Sequence, residues 1–593
     1  MNELRQPELY KIHIAIFTLA SALLFIFIPI SFIDRFLAGV ICFGVLIHIK
    51  NIKFEFNRWY EAVLFFIVCV YLMLSIVGYD LFLVNSMNLT IYSRLFYYAS
   101  GLIWTCYVLQ SFLDLIKKAG KIKGKICVAS LDSYPKKWLI LLAILVPVFA
   151  LWQIAFNPIA LTVDSWEYLD GWLYGYYVLF RSPLYAFFIN IVCSIAPTKP
   201  EVMWIAIAQN IAFSSLLATI LMYFHQRWIR FKYIIPVAVV LPLIPSFALH
   251  TIVVWADLFT GMALLWLTYV LFRIIDEIII NKTASKYQQL SFCIQLCISM
   301  VFTYFIRSNT FLVYLVMVPV LVLLFSLKKE WKLLITIAVS IIVVVLIRFP
   351  GYYALNVQVD IRAHEHRYHA AIHDIQATYY NGGRLSEQTL VAMRRYIRHL
   401  DAPDAKDMFR PDYVLYTEPF FDYDLSGLTF REFLTMYTDT FIRNPVDMTR
   451  SMLYRVRSYW VIAPKAEIDL VNFNRIVTPP AGRSLSDISV DQQTNLLTSM
   501  LGEYMIAMNS SFPAIFIWRF GVWVALMIIS IKTLIQDRRC IWLLAYIPVF
   551  VYIATLLLAM GWNDYRYGLP VFFIGMFLPL ALLLNRSTEV TEA

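Results

Sequence analysis

Residues 137–172 read KWLILLAILVPVFALWQIAFNPIALTVDSWEYLDGW. An uncharged, mostly apolar run carries the chain from Trp138 to Phe156, and then Asp164, Glu167 and Asp170 follow with no basic residue before Arg181. About twenty apolar residues in helical form cross a hydrocarbon layer about 30 Å thick. The run therefore reads as a membrane span, and the acidic stretch as the loop on its far side. Lysine-rich loops stay in the cytoplasm, so Lys136 and Lys137 mark the near side and place Asp164 outside.

Working outward, the same pattern recurs along a chain of 593 residues that is 61% hydrophobic and only 15% charged. Soluble domains carry about a quarter charged residues, which excludes a soluble fold of this length. Upstream, apolar runs at about 12–32, 34–49, 59–78 and 93–116 make an N-terminal four-helix membrane block, 1–116. A basic cytoplasmic loop, 117–136, closes it with Lys117, Lys118, Lys121, Lys123 and Lys125. Downstream, a membrane core over 137–350 holds a first outer loop at 157–201 and runs near 202–224, 231–249, 252–275, 288–305, 310–327 and 331–349. The apolar stretch 182–196 is expected to lie in the headgroup layer, because a crossing there would carry Arg227, Arg230 and Lys232 outside.

Between 351 and 512 the chain turns polar, with turn residues such as Asn381, Gly382 and Gly383, and is expected to form a mainly helical extracytoplasmic domain. A three-span block, 513–593, follows, with runs near 513–533, 540–560 and 569–585. The expected fold class is an all-α multi-span membrane protein of about fourteen transmembrane helices, set in the cytoplasmic (inner) membrane with the lipid bilayer as a partner. A retained first span is expected at the N-terminus, because no small-residue cleavage site follows its apolar run. The formal charge of +10 lies in short loops, where it orients spans and faces anionic lipid; nucleic acid is not an expected partner. None of the eight cysteines lies in the polar insert, so no disulfide framework or zinc motif shows, and Cys293 with Cys297 reads as helix packing. His364, Glu365 and His366 have a spacing that suits a strand-borne metal site, although three polar side chains facing water explain them more simply.

This topology sends Asp164, Glu167, Asp257, Arg307, Asn309, Asp564 and Arg566 to one membrane face from separate segments. Ionisable groups near a bilayer are costly and usually face a cavity or a partner, so their gathering marks a functional site. The stretch TVDSWEYLDGW followed by RSPLY resembles the first outer loop of polyprenyl-phosphate-dependent glycosyltransferases of the GT-C class, such as protein O-mannosyltransferases and aminoarabinose transferases. Asp164 stands at that class's acidic position, and Ser182 with Pro183 where His-Pro is common. VVWADLF around Asp257, IRSN at 306–309 and NDYRYGLP at 563–570 resemble later elements of the same pattern, in order. The likeness covers about 137–585.

The resemblance implies an enzyme that moves a sugar from a polyprenyl-phosphate-linked donor to an extracytoplasmic glycan, lipid or protein acceptor. It implies Asp164 as general base, with Asp257 and Glu167 as further catalytic carboxylates. Arg181, Arg307 and Arg566 would grip the phosphate, and Tyr185, Asn309 and Asp564 would complete substrate binding; a planar guanidinium fork suits a phosphate. No cofactor is required by this reading, although Asp257 and Glu167 could hold a divalent cation with Asp164 in place of simple ion pairs. The structural alternative for Asp164 is a helix N-cap, and for the arginines a headgroup anchor. Competing functions are a secondary transporter, whose signature is repeats and broken helices, and a lipid-linked glycan polymerase or flippase.

Overall fold

The computed structural model describes residues 14–19, 42, 45, 58–75, 91–119, 134–179, 182–358, 362–409, 420–462, 496–509, 516–559 and 565–589. Among these, regular structure is helical and β pairing is confined to isolated bridges. Eight helices are long and apolar enough to cross a bilayer, nine if one bent pair counts as a single span. The chain is thus an all-α protein with the helices of a multi-pass membrane protein. Of the expected runs, 12–32 and 34–49 lie almost wholly outside the described residues. The runs at 59–78 and 513–533 appear as shorter helices, α1 (Trp59–Met73) and α18 (Gly521–Gln536).

The N-terminal helices α1 and α2 (Ile91–Ala119) pair with each other and rest on α18 through Phe65, Cys69, Leu109, Leu113 and Ile529. The core begins with α3 (Tyr134–Ala155), then two short helices, α4 (Val163–Leu173) and α5 (Pro183–Ser194), packed on each other. The twelve-residue α5 is too short to cross a bilayer, in keeping with an interfacial helix at 182–196. Its start is set by Pro183 at the first position and by the Ser182 hydroxyl, which accepts from the Tyr185 amide at 3.2 Å.

After α6 (Met203–Arg227), the expected span 231–249 is broken. Helices α7 (Phe231–Val240) and α8 (Pro245–Ile252) are the two arms of a pair bent by 63°. Pro242 and Pro245 explain the bend, since each removes an amide donor and clashes with the preceding turn. The next span therefore starts at Ala256 rather than 252, as α9 (Ala256–Arg273), and runs on as a π-helix, Ile274–Ile280. Helices α10 (Lys286–Phe305), α11 (Thr310–Lys328) and α12 (Trp331–Leu346) complete the core.

Burial ranks these spans. Of the apolar stretch of α9 and its extension 89% is buried, against 28% for α3, so α9 is the central post. It touches α6, α10 and the last helix, α20 (Leu569–Glu589). Outer helices expose Leu139, Ile154, Leu323, Ile335 and Ile342. Such apolar surface suits lipid and not water.

The polar insert folds around its own core of Ile372, Ile375, Met393, Phe421, Leu425, Met436 and Met448. Its helices are α13 (Arg362–Tyr380), α14 (Glu387–Tyr396), α15 (Phe430–Arg443) and α16 (Pro445–Arg455), followed by α17 (Leu496–Asn509) against α3. His364, Glu365 and His366 fall within α13, in a helix and not a strand. On α16, Arg455 grips Asp374 of α13 with two nitrogens, at 3.1 and 2.7 Å, and donates to the Leu557 carbonyl at 3.0 Å. Leu557 lies near the end of α19 (Ile547–Ala559), so this arginine fastens the domain to a membrane helix. A second tie joins the first loop: the Gln358 amide donates to the Tyr177 carbonyl at 2.8 Å, and Leu179 donates back to Gln358 at 2.9 Å.

Candidate functional site

Helix α4 has its first turn locked from two sides. The Thr162 amide donates to the Ser165 hydroxyl at 2.9 Å, and that hydroxyl donates to the Val254 carbonyl at 3.1 Å. The loop before it pairs with the strand-like turn before α9, where the Ala160 amide donates to Ile252 at 3.0 Å. Thr162 takes the N-cap position and Asp164 falls in the first turn, so Asp164 is not the cap. Its carboxylate instead accepts a hydrogen bond from Arg566, 402 residues away in sequence.

Asp257 holds the matching place in the first turn of α9. Both carboxylates thus sit where a helix dipole favours negative charge. Asp257 accepts from Arg307, which stands in the short turn between α10 and α11. That turn is held by the Thr310 hydroxyl, which donates to the Arg307 carbonyl at 2.9 Å.

Tyr567 joins the two ion pairs. The Arg307 guanidinium lies 4.4 Å from its ring centre and the Arg566 guanidinium 4.9 Å from it, while Arg566 also donates to the Tyr567 hydroxyl at 3.0 Å. Arginine over an aromatic face is attractive and orients both groups. The turn carrying Arg566 and Tyr567, Tyr565–Gly568, is secured because the Tyr552 hydroxyl of α19 donates to the Tyr567 carbonyl at 2.9 Å. Gly568 is required there, since a Cβ would collide with the Phe520 ring. Trp255 closes the other side: its indole N–H donates to the Thr162 hydroxyl at 2.7 Å, and its ring centre is 5.0 Å from the Arg566 guanidinium.

Four of the nine residues singled out from sequence, Asp164, Asp257, Arg307 and Arg566, therefore meet around one tyrosine at one end of the bundle. Asn309 stands nearby and donates to Thr555 of α19 at 3.4 Å, tying α11 to that helix. Glu167 follows Asp164 by about one turn on α4 and is half-buried. Tyr185 borders the group from within: it is buried, its hydroxyl donates to Gln209 at 2.5 Å, and it lies within electrostatic reach of Asp257 and against the Trp255 backbone. Arg181 and Asp564 lie outside the described residues. Both core aspartates are met by arginines. Among the described residues no group of three or more His, Cys, Asp or Glu is gathered for a metal.

Trp255 and Thr162 carry no role in the sequence reading, and Tyr567 enters it only as part of the NDYRYGLP run. Aromatic residues are abundant in this chain, with 16 tryptophans and 37 tyrosines, and most serve helix packing. The one available signal was adjacency, since Trp255 lies two positions from Asp257 and Tyr567 follows Arg566.

At the far end of α9, roughly 25–30 Å away by helical rise, a second charged group forms. Arg227 meets Asp276 at 3.3 Å and Glu277 at 3.2 Å, and Arg273 meets Glu277 at 2.9 Å. The insert holds a cavity of about 600 Å³ lined by Glu387, Arg395, Arg431 and Glu432 among others, none of them shared with the Tyr567 group. No protein-family profile, curated protein or solved structure matches this chain.

Proposed function

We propose that the protein is a membrane glycosyltransferase that moves a sugar from a polyprenyl-phosphate donor to an extracytoplasmic acceptor, a cell-envelope glycan, lipid or protein. The reading rests on the convergence of Asp164, Arg566, Asp257 and Arg307 around Tyr567 where the central span meets the first outer loop. Sugar transfer from a lipid phosphate needs a carboxylate near the acceptor hydroxyl and cationic donors near the departing phosphate, and this group contains both. The placement at helix ends suits a donor whose tail lies among the spans while its sugar stays in the headgroup layer. The likeness of the TVDSWEYLDGW loop to GT-C enzymes agrees with this reading.

The test supplies membranes or nanodiscs carrying the protein with a panel of polyprenyl-monophosphate sugars and follows release of the free polyprenyl phosphate. The wild type is expected to consume at least one donor, and Asp164→Asn to slow it by about two to four powers of ten. Consumption by Asp164→Asn at the wild-type rate removes the assigned base. A second reading, secondary transport, draws on the bent pair α7 and α8, because broken helices are a transporter feature. Sugar or ion uptake by proteoliposomes without donor consumption would favour it.

A further inference from the structure

We infer that the two ion pairs expose groups of opposite sign, so that Arg307 receives the donor phosphate while Arg566 serves only to hold Asp164. This inference rests on the glycosyltransferase reading. It departs from the simpler view that every arginine at this face grips phosphate.

The observation is an asymmetry of exposure. In the first pair the Arg307 side chain is 17% exposed and Asp257 only 4%; in the second, Asp164 is 19% exposed and Arg566 only 7%. An accessible cation thus backs onto a buried carboxylate, and an accessible carboxylate backs onto a buried cation. Arg566 is further occupied: it packs against the Trp255 and Tyr567 rings and donates to the Tyr567 hydroxyl. A ligand reaching this group meets Arg307 and Asp164 first.

The chemistry divides along the same line. Arg307 presents charged N–H donors to a phosphate, and Asp257 behind it fixes the plane of the guanidinium. Asp164 presents its carboxylate to the acceptor hydroxyl, and Arg566 behind it keeps that carboxylate aimed. In the transfer step the acceptor oxygen bonds to the anomeric carbon, its proton passes to Asp164, and the bond from that carbon to the phosphate oxygen breaks. The electron pair leaves with the phosphate, whose growing charge rests on Arg307. Arg566 and Asp257 are positioning residues. Tyr567, in contact with both arginines, sets the distance between the two halves.

The test titrates the full-length protein in nanodiscs with undecaprenyl phosphate and measures sugar transfer on the same samples, with thermal unfolding to confirm that each variant folds. Arg307→Gln is expected to weaken undecaprenyl phosphate binding by about tenfold or more, the loss of a charged hydrogen bond. Arg566→Gln and Asp164→Asn are expected to bind within about threefold of the wild type yet transfer poorly. Arg566→Lys, which keeps a cation beside Asp164, should recover part of the transfer without altering binding. If Arg566→Gln does not fold, Asp164→Asn breaks the same pair from the accessible side and carries the same expectation. Equal loss of binding in the Arg307 and Arg566 or Asp164 variants overturns the division of roles and leaves the glycosyltransferase reading standing. Failure of the wild type to bind undecaprenyl phosphate better than undecaprenol overturns both.

Discussion

Replacing Arg455 by methionine should loosen the polar domain far more than a surface substitution would. Both Arg455 and Asp374 side chains are only 1% exposed, and the Ser451 hydroxyl adds a further bond to Asp374 at 3.0 Å. Removing the arginine leaves a buried carboxylate without its counter-ion, at a cost of about 3–5 kcal/mol. At 1.4 kcal/mol for each factor of ten, hydrogen exchange in α13 and α16 should speed up by about two to four powers of ten. Asp374→Leu together with Arg455→Met should restore most of the protection, because an apolar pair of similar volume needs no counter-ion. The double variant still lacks the bond to Leu557, so the end of α19 should exchange faster than in the wild type. Protection unchanged in the single variant, or a double variant as loose as the single one, would show that the Arg455–Asp374 pair does not hold the domain together.

Trp255→Phe deletes the bond to Thr162 and weakens the ring contact with Arg566, together about 1–2 kcal/mol; transfer should fall by about tenfold with the fold intact, as read by the donor-release assay. In the polar domain, the Ser386 hydroxyl and Arg443 hold the Asp439 carboxyl below its usual range. A lowered carboxylate contributes stability above the unfolded value near 3.9 and loses it as pH falls through the folded value. Hydrogen exchange in α14 and α15 should therefore quicken below about pH 4, and Asp439→Asn should remove that dependence in α15 and only part of it in α14, where Arg394 holds Asp401 low in the same way.

Much of this architecture was legible in sequence because hydropathy and lysine placement act locally. The runs that became α3, α6, α10, α11, α12 and α20 stand within a few residues of their expected bounds, and the short apolar α5 lies where an interfacial helix was expected. Alternation of spans then sent Asp164, Asp257, Arg307 and Arg566 to one end. Which carboxylate meets which arginine was not legible, since it depends on the order of helices around α9, and hydropathy carries no neighbour information. The break before Pro245 was visible as three prolines, Pro236, Pro242 and Pro245, but apolar composition masked it as one continuous span. Tyr185 reaches the Asp257 side of the group from the turn that Ser182 and Pro183 set, but its partner Gln209 on α6 was not legible, because that too depends on the order of helices.

The proposed function stands on binding of a polyprenyl phosphate at the Tyr567 group, between the loop that carries Asp164 and the start of α20. Irradiation of the protein with a polyprenyl phosphate bearing a photoreactive group beside the phosphate, followed by peptide mapping, tests it most directly. Cross-links are expected on the segments around Asp164, Arg307 and Arg566, lost when unlabelled undecaprenyl phosphate competes. Cross-links confined to the Arg227, Asp276 and Glu277 end of α9, or spread over the lipid-facing helices regardless of competition, contradict it.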